Sequence, residues 1–441
     1  MEITLQDVLD ARERRVMRQQ TLLNTYGKPL VCFTMNIAGP EKYNTQIAKG
    51  FRIGISMLEA QLQGSRVVVL QKQVWEEMTG CEAYFVVDTS AERLKALTVQ
   101  VEDSMPAGRL FDMDVLAQDG SKVGREHVGL PGRTCLICGG PVHICSRSRA
   151  HGLDELQAKT RSLLQDAIHH QEAERIGCLA VKSLLFEVCT TPKPGLVDRR
   201  NNGSHKDMDL FTFMSSSSAL QPYFVKCALT GLQTKNASAA VTFDAIRFWG
   251  KQAEQTMFTA TGGINTHKGA IFTLGLLCAA AGRCETTDPT EICAQVAAMT
   301  QGITKTDFTG MQTTGEVLFV RHGITGIRGQ AEAGFPALLQ VGLPVLEAGL
   351  ARGLTPEEAG CAALLHLMCA ITDTNLIARS DLATQQQVCA RIRKLLQAEP
   401  FPNRNTLEKL DTEFIAASLS PGGSADLLAA TYFLYDSKAG L

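Results

Sequence analysis

The chain has 441 residues, with 43 Lys and Arg against 45 Asp and Glu, a formal charge of −2. A hydrophobic content of 45% with 20% charge excludes fibrous and disordered architectures, and at roughly 150 residues per domain the length predicts two or three domains. The balanced charge argues against a protein that grips nucleic acid through a global positive field, and it leaves room for a local phosphate pocket.

In chain order, helical patterns cover Thr4 to Tyr26, Gly50 to Gln63 and Ala91 to Glu102. Strand-like segments alternate with them: the apolar run Val67 to Leu70, the β-former-rich Glu82 to Asp88, and Arg109 to Leu116. The last is followed by the turn Ala117 to Gly120 and then Ser121 to Arg125, a hairpin pattern. After about Glu155 the strand signal disappears. Ile176 to Cys189, Val241 to Thr259, Gly269 to Ala281, Pro336 to Ala351 and Glu357 to Arg379 carry apolar residues at i, i+3, i+4 spacing. The boundary belongs in the polar stretch Gly152 to Glu174, itself helical in pattern. The predicted fold is therefore an α+β domain with a mixed sheet over 1–165, followed by an all-α domain over 166–441.

Most of the 14 cysteines sit singly in apolar stretches, as at Cys32, Cys178, Cys227, Cys278, Cys361 and Cys369, where Cys acts as a small hydrophobe. That usage predicts a reduced, cytoplasmic protein. The charged, helical start has no signal-peptide pattern, and the apolar stretch Ala270 to Ala281 is too short to span a bilayer, so no membrane partner is expected.

Several constellations could carry chemistry. Asp112 and Asp114 lie two apart in a predicted strand, so both carboxylates face one side while Phe111, Met113 and Val115 face the core. Such a pair suits Mg²⁺ held against phosphates; the bland reading is an acidic, solvated strand face. Cys135, Cys138, His143, Cys145 and His151 fall within 17 residues. They suit a structural Zn²⁺ site, with Cys135, Cys138 and Cys145 as the core ligands, although the spacing is irregular for a finger. Reduced cysteines beside a basic loop are the alternative. Arg147 and Arg149 in that loop match phosphate geometry, or form a solvated face.

The helical half is richer. Lys193 sits between two prolines before Gly195, placed to meet a phosphate. His205, Asp207 and Asp209 share one loop. Thr261 to Gly269 brings Asn265, His267 and Lys268 to a helix N-terminus, an anion site by dipole and geometry that lacks the Walker A spacing. Arg328 is flanked by glycines, and Asp373 with Asn375 ends an apolar run, where a carboxylate needs a partner, a metal or a capping role. Polar, Gly-bracketed loops between apolar helices fit one ligand-binding end of a helical domain.

These residues also carry a resemblance. The stretches Pro29 to Glu41, Gly108 to Val115 and Arg133 to His151 resemble apo-citrate lyase phosphoribosyl-dephospho-CoA transferase. Pro192 to Asp198, His205 to Asp209, Asn265 to Phe272, Gly326 to Gly329 and Asp373 to Asn375 resemble triphosphoribosyl-dephospho-CoA synthase. The resemblance implies a fusion of two consecutive enzymes, the first domain carrying a nucleotidyltransferase-like mixed sheet. In the synthase step, ATP and 3′-dephospho-CoA give triphosphoribosyl-dephospho-CoA and adenine. In the transfer step, a serine of the apo citrate lyase acyl carrier protein takes the phosphoribosyl-dephospho-CoA group and pyrophosphate leaves. Asp207, Asp209 and Asp373 would then serve as base or metal ligands, and His205 or His267 would protonate adenine. Lys193, Lys268 and Arg328 would hold phosphates, with Asn265 and Asn375 beside them. Asp112 and Asp114 would hold Mg²⁺, and Arg147 and Arg149 would steer the triphosphate. One departure stands out: Gln330 follows the Gly-Ile-Arg-Gly motif where the family pattern leads one to expect Glu. The rival reading is a zinc-stabilised binding module fused to a helical nucleotide sensor without turnover.

Overall fold

The computed structural model describes residues 4–307 and 314–438. Contacts divide the chain between Gln171 and Glu172. In the first unit, α1 (Leu5–Tyr26) opens with a capping box between Thr4 and Asp7. It is followed by β1 (Leu30–Met35), α2 (Thr45–Gly64), β2 (Val68–Glu77), β3 (Gly80–Asp88), α3 (Ala91–Asp103), β4 (Phe111–Leu116) and β5 (Lys122–Val123). The short α4 (Val142–Ser148) and the long α5 (Leu153–Cys189) complete the run, and α5 carries the predicted boundary stretch as one helix.

The sheet order is β2-β3-β1-β4-β5 with every pair antiparallel, which corrects the expected mixed sheet. The reason is topological. The helical crossover through α3 joins β3 to β4, two strands of like direction, but β1 lies between them and pairs antiparallel with both. On one face Phe33, Phe85, Phe111 and Met113 bury against Phe51, Leu58 and Leu94 of α2 and α3. On the other, Leu22 and Leu23 of α1 cover Leu30, Cys32, Tyr84 and Val86. Covered on both faces, β1 reads as an apolar run with no alternation, so the sequence pattern did not announce it as a strand.

The second unit is helical throughout its described residues. It continues from α5 with α6 (Leu210–Ala219), α7 (Gln221–Thr234), α8 (Ala239–Ala260), α9 (Lys268–Cys284), α10 (Pro289–Met299), α11 (Ile303–Thr306), α12 (Thr314–His322) and α13 (Gly326–Glu332). Then come α14 (Leu343–Ala351), α15 (Pro356–Ala370), α16 (Thr374–Arg379), α17 (Leu382–Ala398), α18 (Arg404–Ala416) and α19 (Gly422–Lys438). Helix α9 is buried along its length and packs on α7, α8, α10 and α19. Small residues permit this: a Cβ on Gly231 of α7 would stand 2.0 Å from the Ala279 carbonyl oxygen of α9. The predicted helix Glu357 to Arg379 breaks at Ile371–Asp373, where the Asp373 side chain caps α16. The predicted helix Pro336 to Ala351 becomes a π turn over Leu338–Gly342 followed by α14.

All 14 cysteines are free. Cys32, Cys227, Cys278 and Cys361 are core residues and Cys369 is half-buried, but Cys178 is exposed on α5, which corrects its assignment to the core. Among the described residues no helix is long and apolar enough to cross a membrane.

Candidate active site

A cavity of about 470 Å³ in the helical unit gathers Lys193, His205, Asp207, Asn265, His267, Lys268 and Asn375. Its walls come from the end of α5, the connection between α5 and α6, the start of α9, α16 and the start of α19. The connection between α5 and α6 is locked by two buried carboxylates. Asp198 accepts from the backbone N–H groups of Lys193 (2.9 Å), Arg200 (2.7 Å) and Asn201 (3.1 Å), folding the Pro-Lys-Pro-Gly segment back on itself. Asp411 accepts from Gly195 N–H at 3.0 Å and Asn201 Nδ2 at 2.8 Å.

Lys193 is 1% exposed and donates to Glu187 of α5. Burial pushes the Glu187 pKa up, and Lys193 opposes that rise. Asp426 of α19 reaches the same cavity. Its pKa is raised well above the ordinary carboxylate range by burial and then by the negative charges of Glu187 and Asp373. Its carboxylate occupies the space beside Gly269, where a Cβ would stand 2.0 Å from Asp426 Oδ2.

Both histidines are neutral at pH 7. Burial pushes His267 down to about 3. Its Nδ1 lies 2.7 Å from Ser216 Oγ, a hydroxyl that already accepts from Thr266 Oγ1, so Ser216 is free to donate to Nδ1. This leaves the proton on His267 Nε2, which is buried without a hydrogen-bond partner. Burial and then the Arg379 guanidinium hold His205 at about 4. Arg379 donates to His205 Nδ1 at 3.0 Å, which places the His205 proton on Nε2, facing Ser420 Oγ at 2.9 Å.

Other predicted residues lie elsewhere. Asp209 is exposed and forms a capping box with Thr212 at the start of α6. Asp373 lines an adjoining pocket of about 310 Å³, its carboxylate already accepting from the N–H groups of Asn375, Leu376, Gly423 and Ser424 and from Ser424 Oγ. Arg328 lies 3.4 Å from Asp307 in a third pocket. Gln330 Oε1 accepts from Ala337 N–H at 3.2 Å, a contact that an amide makes as well as a carboxylate does.

In the first unit β4 buries Phe111, Met113 and Val115 and turns Asp112 and Asp114 together to the other side, as the alternation predicts. Burial, and then the neighbouring charge of Asp114, raises the Asp112 pKa. Asp112 lies 3.6 Å from Arg133, and Asp114 lies 2.7 Å from Lys122. Arg109, Arg125 and Arg133 line a groove of about 180 Å³ beside buried Glu102. Arg147 and Arg149 are exposed on and just after α4 and do not line that groove. Cys135, Cys138, Cys145 and His151 converge into a set that could hold a metal ion, while His143 stays outside it.

Residues 173–440 match the family model described as ATP:dephospho-CoA triphosphoribosyl transferase, and residues 3–167 match apo-citrate lyase phosphoribosyl-dephospho-CoA transferase. Protein CitXG of Haemophilus influenzae is 38% identical over 98% of this chain and 96% of its own length. Protein CitXG of Leuconostoc mesenteroides is 32% identical over 98% and 97%. The chain belongs to the fused CitXG family. It is a bifunctional transferase that unites a triphosphoribosyl-dephospho-CoA synthase with a phosphoribosyl-dephospho-CoA transferase for apo-citrate lyase. A 2-(5''-triphosphoribosyl)-3'-dephosphocoenzyme-A synthase of Pectobacterium atrosepticum is 41% identical, covering 63% of this chain and 94% of its own length.

Glu187, Arg379 and Asp426 line the same 470 Å³ cavity and went unread in the sequence. A signal existed for two of them: Glu187 and Asp426 are single carboxylates inside otherwise apolar helical runs.

Proposed function

We propose that ATP and 3′-dephospho-CoA meet in the 470 Å³ cavity, a reading carried by the convergence there of motif residues from the α5–α6 connection, the start of α9 and α16. The 2′-hydroxyl of dephospho-CoA attacks C1′ of ATP, the C1′–N9 bond breaks, adenine leaves, and the triphosphate stays on C5″ of the new product. Positive charge builds at C1′ in the transition state, and carboxylates of fixed position stabilise it. Asp426 takes this role and receives the 2′-hydroxyl proton; burial and the negative charges of Glu187 and Asp373 make its carboxylate a stronger proton acceptor than a free one. The Glu187–Lys193 pair sets the charge beneath it. Neutral His267 is no proton source. Its unpartnered Nε2–H instead donates a hydrogen bond to the departing adenine, which leaves as the N9 anion and takes its proton from solvent. Lys268, the first-turn N–H groups of α9, and Arg379 at the rim bind the triphosphate. Asp207 and Asn375 line the same cavity beside them. Asp209 and Asp373 act as caps, and Arg328 acts through Asp307 rather than on phosphate.

In the first unit, Asp112 and Asp114 fit Mg²⁺, since two carboxylates forced side by side repel each other until a cation joins them. Bound there, Mg²⁺ would supply charge neutralisation on the triphosphate. The carrier serine attacks the phosphorus nearest the ribose, and pyrophosphate departs. Arg133, beside Asp112, with Arg109 and Arg125 grips the phosphates through guanidinium forks.

Two variants of the full chain separate the sites. Asp426→Asn should abolish adenine release yet still load apo carrier protein when given purified triphosphoribosyl-dephospho-CoA. Asp112→Asn should release adenine at the native rate yet leave the carrier's mass unchanged. Native carrier loading by Asp112→Asn, or native adenine release by Asp426→Asn, would overturn the corresponding assignment.

A further inference from the structure

The segment from Pro131 to Gly152 has almost no core: Cys135 is its only buried residue, and Val142 and Ile144 are 42% and 56% exposed. Something other than apolar burial must hold it. Thr134 bridges to Pro141, and Gly139, with φ 73°, donates to the Cys135 carbonyl at 3.1 Å, forming a tight knuckle between the first two cysteines. Backbone N–H groups of Ile137 and Cys138 face the Cys135 sulfur, and that of Gly140 faces Cys138. Helix α4 then delivers Cys145, and Arg149, in the left-handed region, turns the chain so that His151 comes back to the same point.

The four ligand atoms lie within 4.8 Å of one another, and the Cys138 and Cys145 sulfurs are 3.5 Å apart. Four ligands at the corners of a tetrahedron with metal–sulfur bonds of about 2.3 Å place sulfurs about 3.8 Å apart, close to this spacing. The imidazole is aimed for the purpose. His151 Nδ1 lies 3.5 Å from Glu155 of the following turn, while Nε2 is buried and faces the thiols. A carboxylate behind one ring nitrogen that directs the other at the centre is the usual support of a metal-bound histidine. Soft thiolates with one imidazole disfavour Mg²⁺ and Ca²⁺, and four protein ligands leave no open position for catalysis.

We propose that Cys135, Cys138, Cys145 and His151 bind one structural Zn²⁺ that takes the place of a hydrophobic core for this segment. The knuckle is tied to the carboxylate strand: Arg109 donates to the Thr134 carbonyl, and Arg133 donates to the Phe111 carbonyl at 2.8 Å while lying 3.6 Å from Asp112. Zinc thereby fixes the guanidinium groups beside Asp112. This consequence rests on the phosphate-binding role given to Arg133; zinc occupancy does not.

The full chain, purified under reducing conditions after growth in zinc-supplemented medium, should contain about one zinc per chain by elemental mass spectrometry. Exchange with Co²⁺ should give thiolate-to-cobalt charge transfer and tetrahedral ligand-field bands. Cys138→Ser and Cys145→Ser should lose most of the zinc while adenine release persists, showing that the helical unit is folded. His151→Cys should retain zinc with an altered cobalt spectrum. A native chain without zinc or cobalt bands, a different resident metal, or full zinc in Cys138→Ser would overturn the assignment. Native zinc in Cys138→Ala alongside lost carrier loading would overturn it too, because the loss would then owe nothing to metal.

Discussion

Replacing Gly269 by alanine tests the synthase cavity with one methyl group. Gly269 lies in the first turn of α9, where alanine gains up to about 1 kcal/mol of helix propensity over glycine. Its Cβ, however, would stand 2.0 Å from Asp426 Oδ2 and 2.9 Å from Cγ, against ordinary contact from 3.4 Å. The carboxylate must retreat by about 1.4 Å, because α19 is held by fully buried Leu427 and Leu428 and its backbone has nowhere to go. A displacement near 1 Å at a reacting centre can cost roughly 100-fold in rate, equivalent to about 2.7 kcal/mol of barrier. Adenine release at saturating ATP and dephospho-CoA should therefore fall by about that factor. The melting temperature should stay within a few degrees of native, since the propensity gain offsets part of the clash. Native adenine release from a natively stable Gly269→Ala chain would refute the idea that Asp426 must sit where it does.

Other consequences can be checked as directly. His267 titrates near 3 in the fold against about 6.5 when unfolded, so the unfolded chain takes up the proton first as pH falls. The associated stability is complete above about pH 6.5 and is lost from there down towards pH 3, with roughly 2 kcal/mol gone by pH 5. The melting-temperature gap between the native chain and His267→Gln should therefore narrow from pH 7.5 to pH 5; an unchanged gap would show that the imidazole is not held neutral. Because His205 and His267 are both neutral, the rate of adenine release should show no histidine inflection between pH 6 and 8, and a clear one near 6.5 would contradict their assigned states. Lys193→Met strands the Glu187 carboxylate and should cost about 3–5 kcal/mol, and the double variant with Glu187→Gln should recover part of it. Equal melting temperatures for Lys193→Met and the native chain would refute a buried pair.

How far the sequence could be read depended on how local each signal was. Asp112 and Asp114 were legible because strand alternation is strictly local, and β4 follows it residue by residue. The loops bearing Lys193, His205, Asn265 and His267 were legible as polar breaks between apolar helices, and the fold brings them to one cavity. Glu187, Arg379 and Asp426 were not, because their importance lies in what tertiary packing sets opposite them: a lysine, a histidine and a glycine. Asp373 illustrates the converse. A carboxylate after an apolar run left base or metal work and capping both open, and the starts of α16 and α19 supply it with the donors of a cap. The start of α2 was misplaced for a similar reason: Asn44 caps the helix by accepting from Ile47 N–H, five residues or so before the glycine-led apolar pattern begins. At the cysteine knuckle the spacing pointed to three thiols, but only the left-handed turn at Arg149 selects His151 over His143 as their partner.

The central claim, that the helical cavity breaks the glycosidic bond of ATP only when dephospho-CoA is there to receive the triphosphoribosyl group, is tested most directly by measuring adenine. With ATP alone the full chain should release none. With both substrates it should release one adenine for each triphosphoribosyl-dephospho-CoA formed. Adenine from ATP without the acceptor, or product formed without adenine, would contradict the account.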